Sequence, residues 1–206
     1  MSGKSTLVKN LCLEDLQFEA NLEQLIYVHS QEDENIKAIR KKWGKKVKFL
    51  NEIPLDLPEQ MIPGKSVVVL DDVEETLVHD KERTKMLKAM ANIYIHHYQL
   101  IMILCLQSYD LFYKRHPLNG LLQQATKLIL FKSINNFSSL KRWLNSYGIK
   151  LKADQQLFDV FKSLVSETRY NYLVIDLDQS LNSAQVYTHV LYADPRPFLV
   201  FHVESE

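Results

Sequence analysis

The segment Val67-Val68-Val69-Leu70, closed by Asp71-Asp72, constrains this chain more than any other. Four apolar and mostly β-branched residues in succession put an apolar side chain on both faces of a strand. That pattern suits a central strand covered above and below, not the half-wet strand of a meander. Leu100-Ile101-Met102-Ile103-Leu104 reads the same way. Further short runs, Leu25–Val28, Lys127–Phe131 and Tyr172–Ile175, are separated by longer stretches with apolar residues three to four apart. Strands alternating with helices predict an α/β fold: a mainly parallel sheet with helices on both faces.

The helical stretches are Ser5–Leu16, Gln31–Lys42, Lys81–His97, Asn136–Tyr147 and Asp154–Thr168. Gly148 suits a left-handed C-cap and Asp154 an N-cap. Pro54–Gly64 carries three prolines and reads as a surface connection. Tyr187–Val203 reads as one or two short strands broken by Asp194-Pro195-Arg196-Pro197.

A chain of 206 residues with 46% apolar content can bury one core, and residues 1–206 are read as a single domain. Lys plus Arg and Asp plus Glu are both 25, so any contact with nucleic acid must come from a local patch. Cys12 and Cys105 alone provide neither a disulfide framework nor zinc-ligand spacing, which fits a reducing, intracellular setting. No apolar run reaches the length of a membrane span.

The chemistry begins at Gly3-Lys4-Ser5-Thr6. These residues fit the end of Gly-x-x-x-x-Gly-Lys-Ser/Thr, in which backbone N–H groups wrap phosphates at a helix start. The first glycine of that pattern, and the strand feeding it, fall before Met1, so the sheet is expected to start one strand late. Lys4 would neutralise phosphate charge, and the Ser5 hydroxyl would complete a Mg²⁺ shell. Taken alone, the tetrapeptide is equally a capped helix start.

Asp71-Asp72 gives the second motif, an apolar strand ending in carboxylates in the manner of a Walker B element. Asp71 would hold Mg²⁺ through water, and Asp72 would orient or deprotonate the attacking water. The plain alternative is an acidic turn. Gln107, closing the strand that ends Leu104-Cys105-Leu106, is placed to sense a γ-phosphate or to cap the next turn. Lys114, Arg115 and Arg142 are candidate cations for a phosphoryl-transfer transition state, or solvated charge. Arg40–Lys48 is the one dense basic stretch. It reads as a nucleic-acid track with Trp43 as a stacking face, or as a solvated helix end. His96-His97 ends an apolar helix without matching metal ligands.

In order and spacing these elements resemble the genome-packaging ATPases of the FtsK–HerA P-loop superfamily, in the branch of poxviruses, other large DNA viruses and Polinton-type elements. The matching stretches are Gly3–Thr6, Gln24–Val28, Val69–Asp72, Leu106–Phe112, Ala125–Lys132 and Tyr170–Leu177. The resemblance implies a RecA/FtsK-like ATPase with bound ATP and Mg²⁺, assembled as a homo-oligomeric ring. Such a machine drives double-stranded DNA into a capsid through capsid or portal components. It works inside the host, in the nucleus or a cytoplasmic viral factory, with virion association also compatible, and it needs no membrane. Gly3, Lys4, Ser5 and Thr6 carry over as the phosphate-binding residues, Ser5 and Asp71 as metal ligands, and Asp72 and Gln107 as water-activating and sensor residues. Family members place an arginine finger upstream of the strand matched by Ala125–Lys132. Here Leu118–Leu122 occupies that neighbourhood, so Arg115 would serve from a shifted position.

Two other functions are compatible with the same residues. A decayed or domesticated copy would keep the fold and act as a non-enzymatic interaction protein. A small-molecule P-loop kinase would need an arginine-rich lid and an acceptor motif, which the sequence does not display.

Overall fold

The computed structural model describes residues 3–13, 22–29, 33–107, 121, 124–131, 172–176, 185–191 and 199–204. The chain divides into two compact units. One is Ser5–Gln124; the other is Ala125–Glu206 together with Met1–Lys4.

The first unit is built on four parallel strands. These are β1 (Gln24–His29), β2 (Val47–Leu50), β3 (Ser66–Asp71) and β4 (Ile101–Cys105), in the order β2-β1-β3-β4. Leu25 pairs with Val47 on one side and Val67 on the other, and Val67 pairs with Ile101. Strand β3 is therefore interior, as its two-faced apolar sequence predicts, and Val67 to Leu70 are fully buried.

The side-chain alternation of the strands sorts the core into two layers. Leu25, Tyr27, Val67 and Val69 face α1 (Lys4–Leu13) and α2 (Glu34–Trp43), packing with Val8, Cys12, Ile36 and Ile39. Ile26, Val28, Val68 and Leu70 form the other layer with Val73 and Leu77 of the α3 region (α3, Glu74–His79) and Leu87 of α4 (Lys81–Ala89). Met90 and Ala91, from a π-helical turn over Met90–Tyr94, join this second layer, and α5 (Ile95–Tyr98) completes the helical run. Helices thus cover both faces of the parallel sheet.

Local signals explain the helix ends. Asp33 caps α2 by accepting from the Ile36 backbone N–H at 3.0 Å, and Arg40, Lys41 and Lys42 occupy its last turn, where positive charge favours the dipole. Asp80 caps α4 by accepting from the N–H groups of Glu82 and Arg83. Gln99 adopts φ 51 and turns the chain from α5 towards β4.

Three expectations need correction in this unit. Strand β4 lies at the sheet edge, with Ile101 to Leu104 only half-buried, because among the described residues no strand pairs with its outer side. The connection Pro54–Gly64 is not merely superficial: Ile53, Leu57 and Met61 are buried in the second layer, four residues apart, so one face of a tight coil caps the core. The sheet also gains β2, and α3 follows directly after Asp72.

The second unit is an antiparallel sheet of β5 (Lys127–Phe131), β6 (Tyr172–Asp176), β7 (Gln185–Leu191) and β8 (Leu199–Glu204), in sequence order. Phe131 pairs with Tyr172, their rings 5.2 Å apart. The strands expected at Lys127–Phe131 and Tyr172–Ile175 therefore exist but do not extend a parallel sheet. Parallel pairing needs a crossover of about a dozen residues or more, and the β6–β7 and β7–β8 connections are too short for one. The helices expected at Asn136–Tyr147 and Asp154–Thr168 lie outside the described residues. Among the described residues, no helix is long and apolar enough to cross a membrane.

Cys12 tests the layer beneath α1. It is 2% exposed, and burial pushes its thiol from the ordinary 9.0 to about 12. Native protein at pH 8 should therefore resist a thiol-alkylating reagent at Cys12, with labelling released by urea, as mass spectrometry of the tryptic peptide would read. Because the folded thiol holds its proton more tightly than the unfolded one, its contribution is intact below the ordinary value and lost as pH rises through the alkaline range.

Candidate functional site

The carboxyl ends of parallel strands are where α/β sheets present ligand-binding groups. Here β1, β3 and β4 end side by side on His29, Asp71 and Cys105, which are direct register partners. All three lie on the face that carries α1 and α2, in line with Tyr27 and Val69.

The direction of α1 follows from its last turn. Trp43, closing α2, donates its indole Nε1–H to the Cys12 carbonyl at 2.7 Å, and Lys42 donates to the Leu13 carbonyl. These bonds satisfy carbonyls that a helix end leaves without intrahelical partners. The chain then passes into β2, whose first residue Val47 lies at the amino edge of the sheet. The C-terminus of α1 is therefore at the amino edge. At ten residues, or about 15 Å, the helix points its first turn, with Ser5 half-buried and Thr6 exposed, towards the carboxyl edge. Gly3 precedes it at φ 86, a left-handed conformation that favours glycine, and Lys4 is the first helical residue.

Asp71 is held from below. The hydroxyl of Tyr27 donates to Asp71 Oδ2 at 3.0 Å. Burial, and after it the adjacent Asp71 carboxylate, push the Tyr27 hydroxyl well above its ordinary value, so it acts as a donor. The Tyr27 ring meets His29 edge-on and Phe49 at a tilt, each with centroids 5.9 Å apart. His29 is 7% exposed, and its Nδ1 has no hydrogen-bond partner among the described residues.

Asp72 leaves the strand at φ 56, a left-handed conformation that a short polar side chain tolerates but that is uncommon for any residue except glycine. Gln107 Nε2 donates to Asp72 Oδ1 at 2.7 Å, while the Gln107 backbone N–H donates to the Glu74 carboxylate. The two residues expected to handle a water and a γ-phosphate thus meet, tied to the first turn of α3. Arg115 lies outside the described residues.

Within the basic stretch it is Trp43 that is engaged in packing, which corrects the stacking role expected for it, whereas the cations around it stay exposed. The Trp43 ring packs against the α1 layer and its N–H is bound to Cys12. Arg40 stacks over Phe49 at 4.8 Å, and Lys48 donates to Gln60 at 2.6 Å. Arg40, Lys41, Lys42, Lys45, Lys46 and Lys48 are all exposed.

Tyr27, His29 and Glu74 are not apparent as site residues from the sequence. The available signal for the first two is a polar pair at period two inside the apolar strand Gln24–His29; for Glu74, in an acidic helix start, there is none. No protein-family model matches the chain, and no curated protein matches it in sequence.

Proposed function

We propose that this chain is the ATP-hydrolysing domain of a DNA-packaging or translocation machine of a DNA virus or virus-like mobile element. The observation that carries this reading is the meeting of Asp71, Asp72 and Gln107 at the carboxyl edge of a parallel sheet, with α1 aimed at the same edge. On this reading Gly3, Lys4, Ser5 and Thr6 hold the phosphates of ATP, as their motif implies. Asp71 and Ser5 hold Mg²⁺, Asp72 aligns the attacking water, and Gln107 fixes Asp72 in its reactive position.

The donors suit that ion. A carboxylate and a hydroxyl are hard oxygen ligands, and Mg²⁺ is usually held by one or two carboxylates plus substrate phosphates and waters, not by a protein cage. Among the described residues no group of three or more His, Cys, Asp or Glu forms such a cage. When bound, Mg²⁺ would supply positive charge that offsets the charge of the phosphates. Arg115 is the candidate finger for a neighbouring copy in a homo-oligomeric ring that grips double-stranded DNA and docks on capsid or portal components inside the host.

The purified chain should hydrolyse ATP in a Mg²⁺-dependent manner, with the rate rising on addition of double-stranded DNA. Absence of both Mg-ATP binding and hydrolysis would end this reading. The non-enzymatic alternative draws on one observation, the apolar edge strand β4. Among the described residues no strand lies along the outer side of β4, and a sheet edge is a template for a strand from a partner. Stable capture of such a strand, without nucleotide binding, would favour it.

A further inference from the structure

The structure assigns to Tyr27 the role of a positioning residue for the metal-holding carboxylate: its hydroxyl fixes Asp71 so that one oxygen is turned to the ion. This inference rests on the proposed nucleotide reading and concerns a residue outside the phosphate-binding and Walker motifs.

The geometry is specific. Tyr27 is 1% exposed and stands in the strand next to Asp71, two residues before the register partner of Asp71 and on the same face. Its ring is walled by His29 and Phe49, and the Phe49 and His29 rings also meet edge-on at 5.9 Å. A phenol so enclosed has little rotational freedom, and its hydroxyl reaches Asp71 Oδ2 at 3.0 Å. That bond engages one carboxylate oxygen of Asp71 and leaves the other for a ligand.

A carboxylate at a strand end has free rotation about its terminal bond. Fixing one oxygen selects the orientation of the other before the metal arrives, so less order must be created on binding. Groups that orient a metal ligand in this way typically change metal affinity or activity by about 10–100-fold when removed. A tyrosine that only filled space would have no such effect, because phenylalanine fills the same space.

The test compares wild type with Tyr27→Phe, Asp71→Asn and Phe49→Leu. Binding of Mn²⁺ in the presence of ATP is read by electron paramagnetic resonance, and binding of metal-free ATP in EDTA by calorimetry. Thermal unfolding of each variant controls for folding. Tyr27→Phe is expected to weaken Mn²⁺ binding by about 10–100-fold and to leave metal-free ATP binding unchanged. Phe49→Leu, which loosens the wall around the phenol but keeps the hydroxyl, is expected to weaken Mn²⁺ binding clearly less than Tyr27→Phe does. Excess Mg²⁺ should restore ATP hydrolysis in Tyr27→Phe. If Tyr27→Phe binds Mn²⁺ like wild type while Asp71→Asn loses it, the positioning role is overturned and the nucleotide reading stands. Equal weakening in Phe49→Leu and Tyr27→Phe also overturns it, since packing would then be the cause. If wild type holds no Mn²⁺ with ATP, or Asp71→Asn holds it unchanged, both the nucleotide reading and the role of Tyr27 fall.

Discussion

Leu70→Ala is expected to lower the stability of the Ser5–Gln124 unit by about 4–5 kcal/mol, in the upper part of the range for buried leucines. Leu70 is fully buried on the interior strand β3, between its register partners Val28 and Leu104. Val73, Leu77 and Leu87 belong to the same apolar layer. The walls of the resulting cavity are two hydrogen-bonded strands and a layer of helices, none of which can move inwards alone. Little of the void would therefore be recovered by relaxation. Leu70→Met, which conserves volume, should cost less than about 1.5 kcal/mol. Leu55→Ala, at a side chain 52% exposed, should stay within about 0.5 kcal/mol. Urea unfolding reads all three. A shifted midpoint with an unchanged slope identifies lost packing, whereas a changed slope would identify an altered unfolded or native state. A cost below about 1 kcal/mol for Leu70→Ala would contradict the interior position of β3.

The same strand shows what the sequence makes legible and where legibility stops. Val67–Leu70 and Leu25–Val28 announce themselves because β-branched side chains in succession need burial on both faces, and both strands are interior. Leu100–Leu104 carries an equally apolar pattern yet forms the edge strand β4. Side-chain hydropathy reports what covers the faces of a strand, not what hydrogen-bonds to its sides. Pairing direction is equally silent: β5 and β6 are recognisable as strands, but hydropathy does not say that they pair antiparallel, and only the β6–β7 and β7–β8 connections are short enough to exclude a parallel crossover. Strand β2 is obscured because Val47-Lys48-Phe49-Leu50 is short and continues a basic helix end. The buried coil over Ile53, Leu57 and Met61 is masked by its prolines, although the four-residue spacing is present.

In the candidate site, Asp71, Asp72 and Gln107 are legible because carboxylates and an amide that close apolar strands stand out against their surroundings. Tyr27 is not. Tyrosine is ordinary in a strand, and only the pairing of β1 with β3 brings its hydroxyl to Asp71. Trp43 shows the converse error. A tryptophan among lysines suggests stacking on a base, but its indole N–H is the group that satisfies the end of α1.

If the chain is the proposed ATPase, Asp71→Asn and Asp72→Asn should both reduce ATP hydrolysis by about 10²–10³-fold, the range seen when one preorganised polar group is lost from a transition state, yet for separable reasons. At Asp71 the amide keeps the shape of the carboxylate and can still accept the Tyr27 hydroxyl through its oxygen, so folding should be preserved. What is lost is the negative charge that, on the proposed reading, holds the ion. The expected signature is a higher Mg²⁺ requirement, partly relieved by excess metal. At Asp72 the left-handed backbone, φ 56, is tolerated by asparagine as readily as by aspartate, so this variant should also fold. The amide introduced by Asp72→Asn cannot take a proton from water, and the hydrogen bond from Gln107 can survive only if that amide turns to present its oxygen. Binding of Mg-ATP should then remain near the wild-type level while turnover falls, and added metal should give no rescue. Gln107→Ala removes the donor to Asp72 without removing either charge, and a smaller loss of turnover is expected, of about 10-fold, corresponding to one hydrogen bond to a charged group. Steady-state kinetics across a Mg²⁺ series separate the three outcomes. A metal-dependent defect at Asp72, or a metal-independent one at Asp71, would reverse the assigned roles, because the residue that holds the ion must be the one whose loss more ion can offset.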